Sequence, residues 1–187
     1  MLRRRALLAL PVLLPACASP EPEYFRLSAV PGATRRSRRR VVELRSVGLP
    51  RYLDRAEILR AAGPNRLDLL SGDRWGEPLA EMIGRVLGQD LTQRLPGSTV
   101  FSTGGALSID SDAVAEVEIQ RFEQEEGGPV LLLAQLAVQA VPRGRRTARM
   151  VRIQAPVEGT GTAALVAAMS RALGQLADAL AERLAAA

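Results

Sequence analysis

Histidine and lysine are absent from this 187-residue sequence, and cysteine occurs once, as Cys17. Without histidine the chain lacks the commonest general base, and no Cys/His pair can form a nucleophilic centre or an ordinary zinc site. A single cysteine also excludes a disulfide within the chain. We therefore predict that the protein is not an enzyme, with no catalytic residue, no metal and no cofactor.

Motifs that would hold calcium or phosphate are incomplete. Residues 110–112 (Asp-Ser-Asp) begin like a calcium loop, but the glycine and the final glutamate of that loop are missing. Residues 102–105 (Ser-Thr-Gly-Gly) have neither a lysine nor the glycine spacing of a phosphate-binding loop. Glu116 and Glu118 fall on the solvent side of a predicted strand, where solvated charge is the ordinary interpretation. A hydrolase that works with two carboxylates stays open as an alternative.

Aromatic residues form only 3% of the chain, so the core has to be built from leucine, valine, isoleucine and alanine. The formal charge is +5, and all 25 basic residues are arginine. Three arginines precede Cys17, which leaves about +2 on the remaining chain, too little to indicate a nucleic-acid-binding protein. The best candidate for a membrane span after Cys17, residues 130–141, is too short to cross a bilayer.

The first residues are typical of a bacterial lipoprotein signal. Arginines 3–5 precede an apolar run over residues 6–14, and a Leu-Pro-Ala sequence then leads to Cys17. A basic region, an apolar region and a small residue before the cut form a secretory signal peptide. We predict a signal peptide over residues 1–16, lipid attachment at Cys17 and a lipidated tether over residues 17–23. A lone cysteine is more often a small buried hydrophobe, but this one lies where the signal requires it.

The residue after Cys17 indicates in which membrane the lipoprotein is anchored. In Gram-negative lipoproteins an aspartate at that place typically retains the protein in the inner membrane, and this sequence has Ala18. The resemblance to that class implies anchoring in the outer membrane, facing the periplasm. The export route, general secretion or twin-arginine, stays open because Arg4 and Arg5 precede the apolar run.

Hydrophobic periodicity over residues 24–187 predicts one α+β domain: an antiparallel β-sheet with two long amphipathic helices packed on one face. Asp73 is a candidate N-cap for the first helix, and Pro96 with Gly97 ends it. We predict helices over residues 75–95 and 162–185, and strands over residues 24–30, 41–47, 57–61, 66–70, 113–122, 130–141 and 147–157.

Three short segments carry a resemblance to a known family. They are residues 24–27 (Tyr-Phe-Arg-Leu), residues 47–55 (Val-Gly-Leu-Pro-Arg-Tyr-Leu-Asp-Arg) and residues 74–79 (Arg-Trp-Gly-Glu-Pro-Leu). Together with the lipoprotein signal, this series resembles the PqiC/YmbA family, the auxiliary lipoproteins of ABC-type and MCE-type transport systems. The C-terminal half matches that family only in its pattern of strands and a final helix.

The resemblance implies a non-catalytic subunit anchored in the outer membrane. Its partners would be a periplasmic MCE-domain protein and the inner-membrane permease of the same system, which move phospholipid or another hydrophobic substrate between membranes. The resemblance also implies that the subunits form a homo-oligomeric ring. Two other functions stay open: a free-standing lipid-binding or envelope-assembly lipoprotein, and a periplasmic hydrolase.

An irregular segment rich in leucine, proline, tyrosine and arginine is the candidate partner-binding site. Loops lie on the surface, and tyrosine and arginine are enriched where proteins meet. The alternative is structural: two of its leucines would cover the sheet edge, and the tryptophan would anchor the core. The candidate residues are Leu49, Pro50, Arg51, Tyr52, Leu53, Arg55 and Trp75.

A basic cluster lies between the first two predicted strands. The ordinary interpretation is a solvated loop tip. The functional alternatives are contact with anionic phospholipid head groups, worth about 1 kcal/mol for each arginine near a charged surface, or contact with an acidic partner. The cluster consists of Arg35, Arg36, Arg38, Arg39 and Arg40.

Overall fold

A computed structural model describes residues 21–103, 109–142 and 144–187. The predicted signal peptide, the lipid-bearing Cys17 and the first residues of the tether lie outside this part of the chain. Within it, no helix is both long and apolar enough to cross a membrane.

The described residues form eight strands and two helices in an α+β fold. The strands are β1 (Glu23–Phe25), β2 (Val41–Leu44), β3 (Glu57–Ala61), β4 (Leu67–Trp75), β5 (Thr99–Ser102), β6 (Ala113–Gln124), β7 (Val130–Ala140) and β8 (Thr147–Ala155). The helices are α1 (Leu79–Arg94) and α2 (Gly161–Ala186).

The sheet is mixed, so the prediction of a purely antiparallel sheet was wrong. Adjacent elements do pair antiparallel, as predicted, in β3–β4, β6–β7 and β7–β8. Four other pairs are parallel: β1–β4, β2–β5, β2–β6 and β3–β6. The physical reason is that strands distant in sequence reach the sheet through crossover connections, one of which contains α1, and such connections bring strands together in parallel.

Strand β6 organises the sheet. Its whole length pairs with β7, while β2 pairs with its first residues and β3 with its last, Gln124. An isolated bridge between Gly48 and Glu118 continues the β2 side along the same strand. Strands β2 and β5 therefore lie at the end of the sheet where β6 begins, and the β3–β4 hairpin lies at the end where β6 stops.

The start of α1 differs from the prediction. Strand β4 continues to Trp75, whose N–H donates to the Ala56 carbonyl at 2.7 Å, so the helix begins only at Leu79. Pro78 precedes it without a side-chain cap. Asp73 is not the N-cap, because it lies in β4, where its carboxylate accepts a hydrogen bond from the Thr162 hydroxyl.

The chain between β1 and β2 forms an N-terminal strap, residues 26–40, which runs along both helices. The predicted strand over residues 24–30 is limited to Glu23–Phe25, because the backbone beyond Phe25 bonds to helix side chains and not to a strand. The strap N–H donors and their acceptors are Leu27 to Met82 Sδ (3.0 Å), Ser28 to Ser170 Oγ (3.1 Å) and Val30 to Asp90 Oδ1 (2.8 Å).

The leucine stripes of both helices lie in the core, as predicted. The two helices contact each other; α2 also lies against β6, β7 and β8, and α1 contacts β5. That both helices share one face of the sheet stays a prediction. The predicted stripe residues that are buried are Leu79, Met82, Ile83, Val86, Leu87 and Leu91 in α1, with Leu95 directly after it, and Leu165, Met169, Leu173, Leu176, Leu180 and Leu184 in α2.

Candidate functional site

The candidate partner-binding segment, residues 49–55, is a tight loop between β2 and β3. The Leu53 N–H donates to the Pro50 carbonyl at 3.0 Å and closes a turn. Directly before the loop, Gly48 exchanges two backbone hydrogen bonds with β6, at 3.0 Å and 2.9 Å. A side chain at Gly48 would collide with Glu118, since an added Cβ would lie 1.7 Å from its carboxylate oxygen. The loop is therefore held in a fixed position against the sheet.

The structure divides the predicted residues of this site into two groups. Leu53 and Trp75 are buried in the core, so their side chains cannot reach a partner of the folded domain. Trp75 is the last residue of β4, and α1 begins four positions later, at Leu79. Leu49, Pro50 and Tyr52 are half-buried, whereas Arg51 and Arg55, together with Asp54, are exposed. The surface that a partner could contact is formed by these exposed charged residues, which we call the 51–55 surface.

Tyr52 has a structural role that the sequence did not indicate. Its hydroxyl donates to Glu123 Oε2 at 2.8 Å, and Glu123, which lies on β6 one residue beyond the predicted strand, is only 2% exposed. That carboxylate also accepts hydrogen bonds from Arg121 Nε at 2.7 Å and from the Phe122 N–H at 2.9 Å. Burial and, after it, the neighbouring Glu123 carboxylate raise the pKa of the Tyr52 hydroxyl well above its ordinary value.

A groove that the sequence analysis missed lies between α1 and the edge formed by β2 and β5. Its volume is about 930 Å³. Ala80, Gly84 and Gly88 line it from the helix, and Val47 and Val100 line it from the sheet side. The sequence signal for this groove is small residues at every fourth position of α1, which leave the outer helix surface shallow.

The groove carries no catalytic arrangement among the described residues. Its charged lining residues include Arg45 and Arg85, and both form ion pairs with neighbouring glutamates. The described part of the chain also contains no group of three or more carboxylate or cysteine side chains that could hold a metal ion. The groove can therefore accept an apolar group, but the residues around it do not indicate a reaction.

A second feature absent from the sequence analysis is a buried ion network that joins α1 to α2. The Arg94 guanidinium lies 2.7 Å from Asp178 Oδ1 and 3.2 Å from Asp90 Oδ1, and it also donates to the Val30 carbonyl at 2.9 Å. Burial is the main cause that raises the pKa of Asp90, while the Val30 N–H and the Arg94 charge act against it. Because Val30 belongs to the strap, this network fixes the strap to both helices.

The predicted arginine cluster lies at the far end of the strap. Arg36, Arg38 and Arg40 are exposed, whereas Arg35 and Arg39 are half-buried. The Arg35 N–H donates to the last carbonyl of α1 at 2.6 Å. Arg39 donates from its guanidinium to the Ala187 carbonyl at the end of α2. The cluster therefore lies across the C-terminal ends of both helices.

Comparison with known proteins gives one family and several similar folds. A family model described as the ABC-type transport auxiliary lipoprotein component matches residues 25–181. The crystal structure of an uncharacterised protein is 17% identical, with a TM-score of 0.75, and the match covers 88% of this chain and 99% of that chain. A DUF330-family protein from Xanthomonas campestris is also 17% identical, with a TM-score of 0.69 and coverage of 87% and 95%. At such identities the structures show the fold alone. Comparison with curated proteins gives no match.

Proposed function

Because this chain belongs to the family of ABC-type transport auxiliary lipoprotein components, we propose that it is a non-catalytic, outer-membrane-anchored subunit of an MCE-type intermembrane lipid transport system. The observation that carries this proposal is the family match, which spans nearly the whole described domain. The same match supports the resemblance to the PqiC/YmbA family. The role of the subunit would be to bind other components and not to act chemically on the lipid.

Lipid on Cys17 would anchor the subunit in the outer membrane. The signal pattern and Ala18 support this part of the proposal. Strand β1 begins at Glu23, so six residue steps separate the lipid from the folded domain. A fully extended chain of that length spans about 20 Å, which keeps the domain close to the membrane surface.

The 51–55 surface would bind the periplasmic MCE-domain protein. Arg51 and Arg55 project from a loop held rigidly on β6, and a rigid loop with exposed arginines loses little conformational entropy on binding. The inner-membrane permease of the same system would join through that protein. A homo-oligomeric ring of subunits would repeat the surface around one partner.

Co-purification from native membranes tests this function. The wild-type lipoprotein should bring down an MCE-domain protein, and the Arg51→Glu/Arg55→Glu variant should lose it while keeping its melting temperature. Arg60→Glu/Arg66→Glu is the matched control, because it reverses two exposed arginines on β3 and the β3–β4 turn. The mass of the N-terminal peptide from the same preparation reports whether Cys17 is acylated. A wild-type preparation without an MCE-domain protein would contradict the proposal.

One observation favours a second candidate function, a free-standing lipid-binding lipoprotein. The groove beside α1 has an apolar floor and a volume of about 930 Å³, within the range of small-molecule sites. An acyl chain that co-purifies with the wild-type protein but not with a Gly84→Leu variant would support this function. The absence of MCE-protein and permease genes next to this gene would support it further.

A further inference from the structure

The end of the strap joins other arginines at one end of the molecule. The Arg40 N–H donates to Asp112 Oδ2 at 2.8 Å, directly before β6. The Val141 N–H, after β7, donates to the Asp112 carbonyl at 3.0 Å. The strap therefore lies beside the turn that connects β7 to β8, and arginines far apart in the sequence meet there.

Helix α2 contributes to the same end. Ser37 Oγ donates to the Leu184 carbonyl at 3.4 Å, and Arg183 donates to Thr147 Oγ1, at the start of β8, at 2.6 Å. We call this end the arginine pole. Its members are the exposed Arg36, Arg38, Arg40, Arg145 and Arg149 and the half-buried Arg183.

The arginine pole combines several arginines that have no acidic partner at ion-pair distance within the described part of the chain. None of its members belongs to an ion pair there. Asp112 lies among them and contributes one negative charge; its two carboxylate oxygens accept backbone N–H groups, at 2.8 Å and 3.2 Å. Asp110 and Glu182 are the other carboxylates close in sequence to this end. Arginine therefore outnumbers acid at the pole.

The lipid anchor would attach at the opposite end of the domain. Glu23 of β1 pairs with Asp73 of β4, and the Asp73 carboxylate accepts a hydrogen bond from Thr162 in the first turn of α2. The arginine pole lies beside Leu184, in the last turn of that helix. Twenty-two residues at a rise of 1.5 Å separate these two points by about 33 Å.

This separation excludes a face-on contact between the arginine pole and the membrane that holds the lipid. The tether between Cys17 and β1 spans about 20 Å at most, which is less than the distance from the anchor end to the pole. With the pole flat on the bilayer, the tether could not reach back to the lipid. Of the two contacts considered for these arginines, phospholipid head groups and an acidic partner, the geometry favours the acidic partner.

We infer that the arginine pole binds an acidic surface of a periplasmic protein on the side away from the anchoring membrane. This inference rests on the proposed function for the anchor at Cys17. Arginine suits such a contact because its planar guanidinium binds carboxylates through two hydrogen bonds. Exposed charges at the pole would steer the partner and orient it, so binding would weaken as salt screens them.

The test uses the mature lipoprotein, held by its own lipid in nanodiscs of neutral phosphatidylcholine. The probe is fluorescent poly-L-glutamate, an acidic polypeptide. We expect Arg36→Gln/Arg38→Gln/Arg40→Gln to weaken binding at least about tenfold, and added salt to weaken the wild type similarly. The matched control is Arg60→Gln/Arg66→Gln/Arg74→Gln, which removes the same charge from exposed positions near the other end and should bind within about twofold of the wild type. All pole substitutions are at exposed side chains, so melting temperatures should stay equal.

Three outcomes would overturn the inference. The first is an equal loss of poly-L-glutamate binding in the pole variant and in the control variant, which would indicate a general effect of net charge. The second is pole-dependent capture of phosphatidylglycerol vesicles, added in solution, without binding of poly-L-glutamate. The third is charge-dependent association between copies of the chain, detected by sedimentation.

Co-purification from native membranes separates this inference from the proposed function. If the pole variant binds poly-L-glutamate as well as the wild type does, while the wild type brings down the MCE-domain protein, the inference fails and the function stands. If the wild type brings down no such protein, but poly-L-glutamate binding depends on the pole, the function fails and the acidic preference of the pole stands.

Discussion

At the residue scale, the clearest lesson is that a buried carboxylate depends on its hydrogen-bond donors. Glu123 is only 2% exposed, and its carboxylate accepts hydrogen bonds from three donors inside the fold. Tyr52 supplies one of these donors from the candidate partner-binding loop. A residue that looks like a binding anchor in the sequence therefore also stabilises the sheet, and Tyr52→Ala would not separate the two roles.

The Tyr52→Phe substitution removes only the hydroxyl and therefore tests its contribution to stability. We expect it to lower the free energy of unfolding by about 1–3 kcal/mol, because a buried carboxylate loses a hydrogen-bond donor while the ring keeps its packing. Urea unfolding of the two proteins measures the difference. Tyr24→Phe is the control, since Tyr24 is 67% exposed and should change stability little. Equal stability of Tyr52→Phe and the wild type would contradict this role for Glu123.

At the element scale, segments with a clear apolar pattern or a flanking turn signal could be predicted, including the short strand β3 (Glu57–Ala61), whereas β5 and the strap could not. Helix α2 and strands β6, β7 and β8 match their predicted ranges closely, since each carries a sustained apolar pattern. Strand β5 has only four residues at a sheet edge and left no such pattern. The strap also escaped prediction, because its partners are helix side chains such as Asp90, far away in the sequence.

Dependence on distant contacts also explains why much of the candidate site could not be predicted from the sequence. Cluster positions such as Arg36 and Arg38 were visible as a charge run, but their meeting with Arg183 depends on tertiary structure. The burial of Glu123 and the groove beside Gly84 depend on it as well. Sequence periodicity reports which face of an element is apolar, and it does not report which elements become neighbours.

The helix stripes give a direct test of the core. Leu87→Ala in α1 or Leu176→Ala in α2 should each cost about 2–5 kcal/mol, because both side chains are fully buried and truncation leaves a cavity. Thermal or urea unfolding measures the loss. Leu69→Ala should cost much less, because Leu69 on β4 is 49% exposed. A small effect at Leu87 and Leu176 would mean that the helices are not packed as described.

At the scale of the whole molecule, the fold separates two ends. The chain leaves the tether at β1, crosses both helices as the strap and reaches the arginine pole, where β6 begins. The buried network around Arg94 fixes this path to α1 and α2. The anchor end and the arginine pole are thereby held apart by about the length of α2.

Photocross-linking in native membranes shows whether this lipoprotein contacts an MCE-domain partner through the 51–55 surface. A photoreactive phenylalanine analogue at position 51 or 55 should form a covalent product with that partner, because both positions are exposed on the rigid loop. The same analogue at position 66, exposed in the β3–β4 turn, should form none. Products with the MCE-domain protein from 51 or 55 alone are the predicted result. Products from position 66 only, or no product with that protein from any position, would contradict the account.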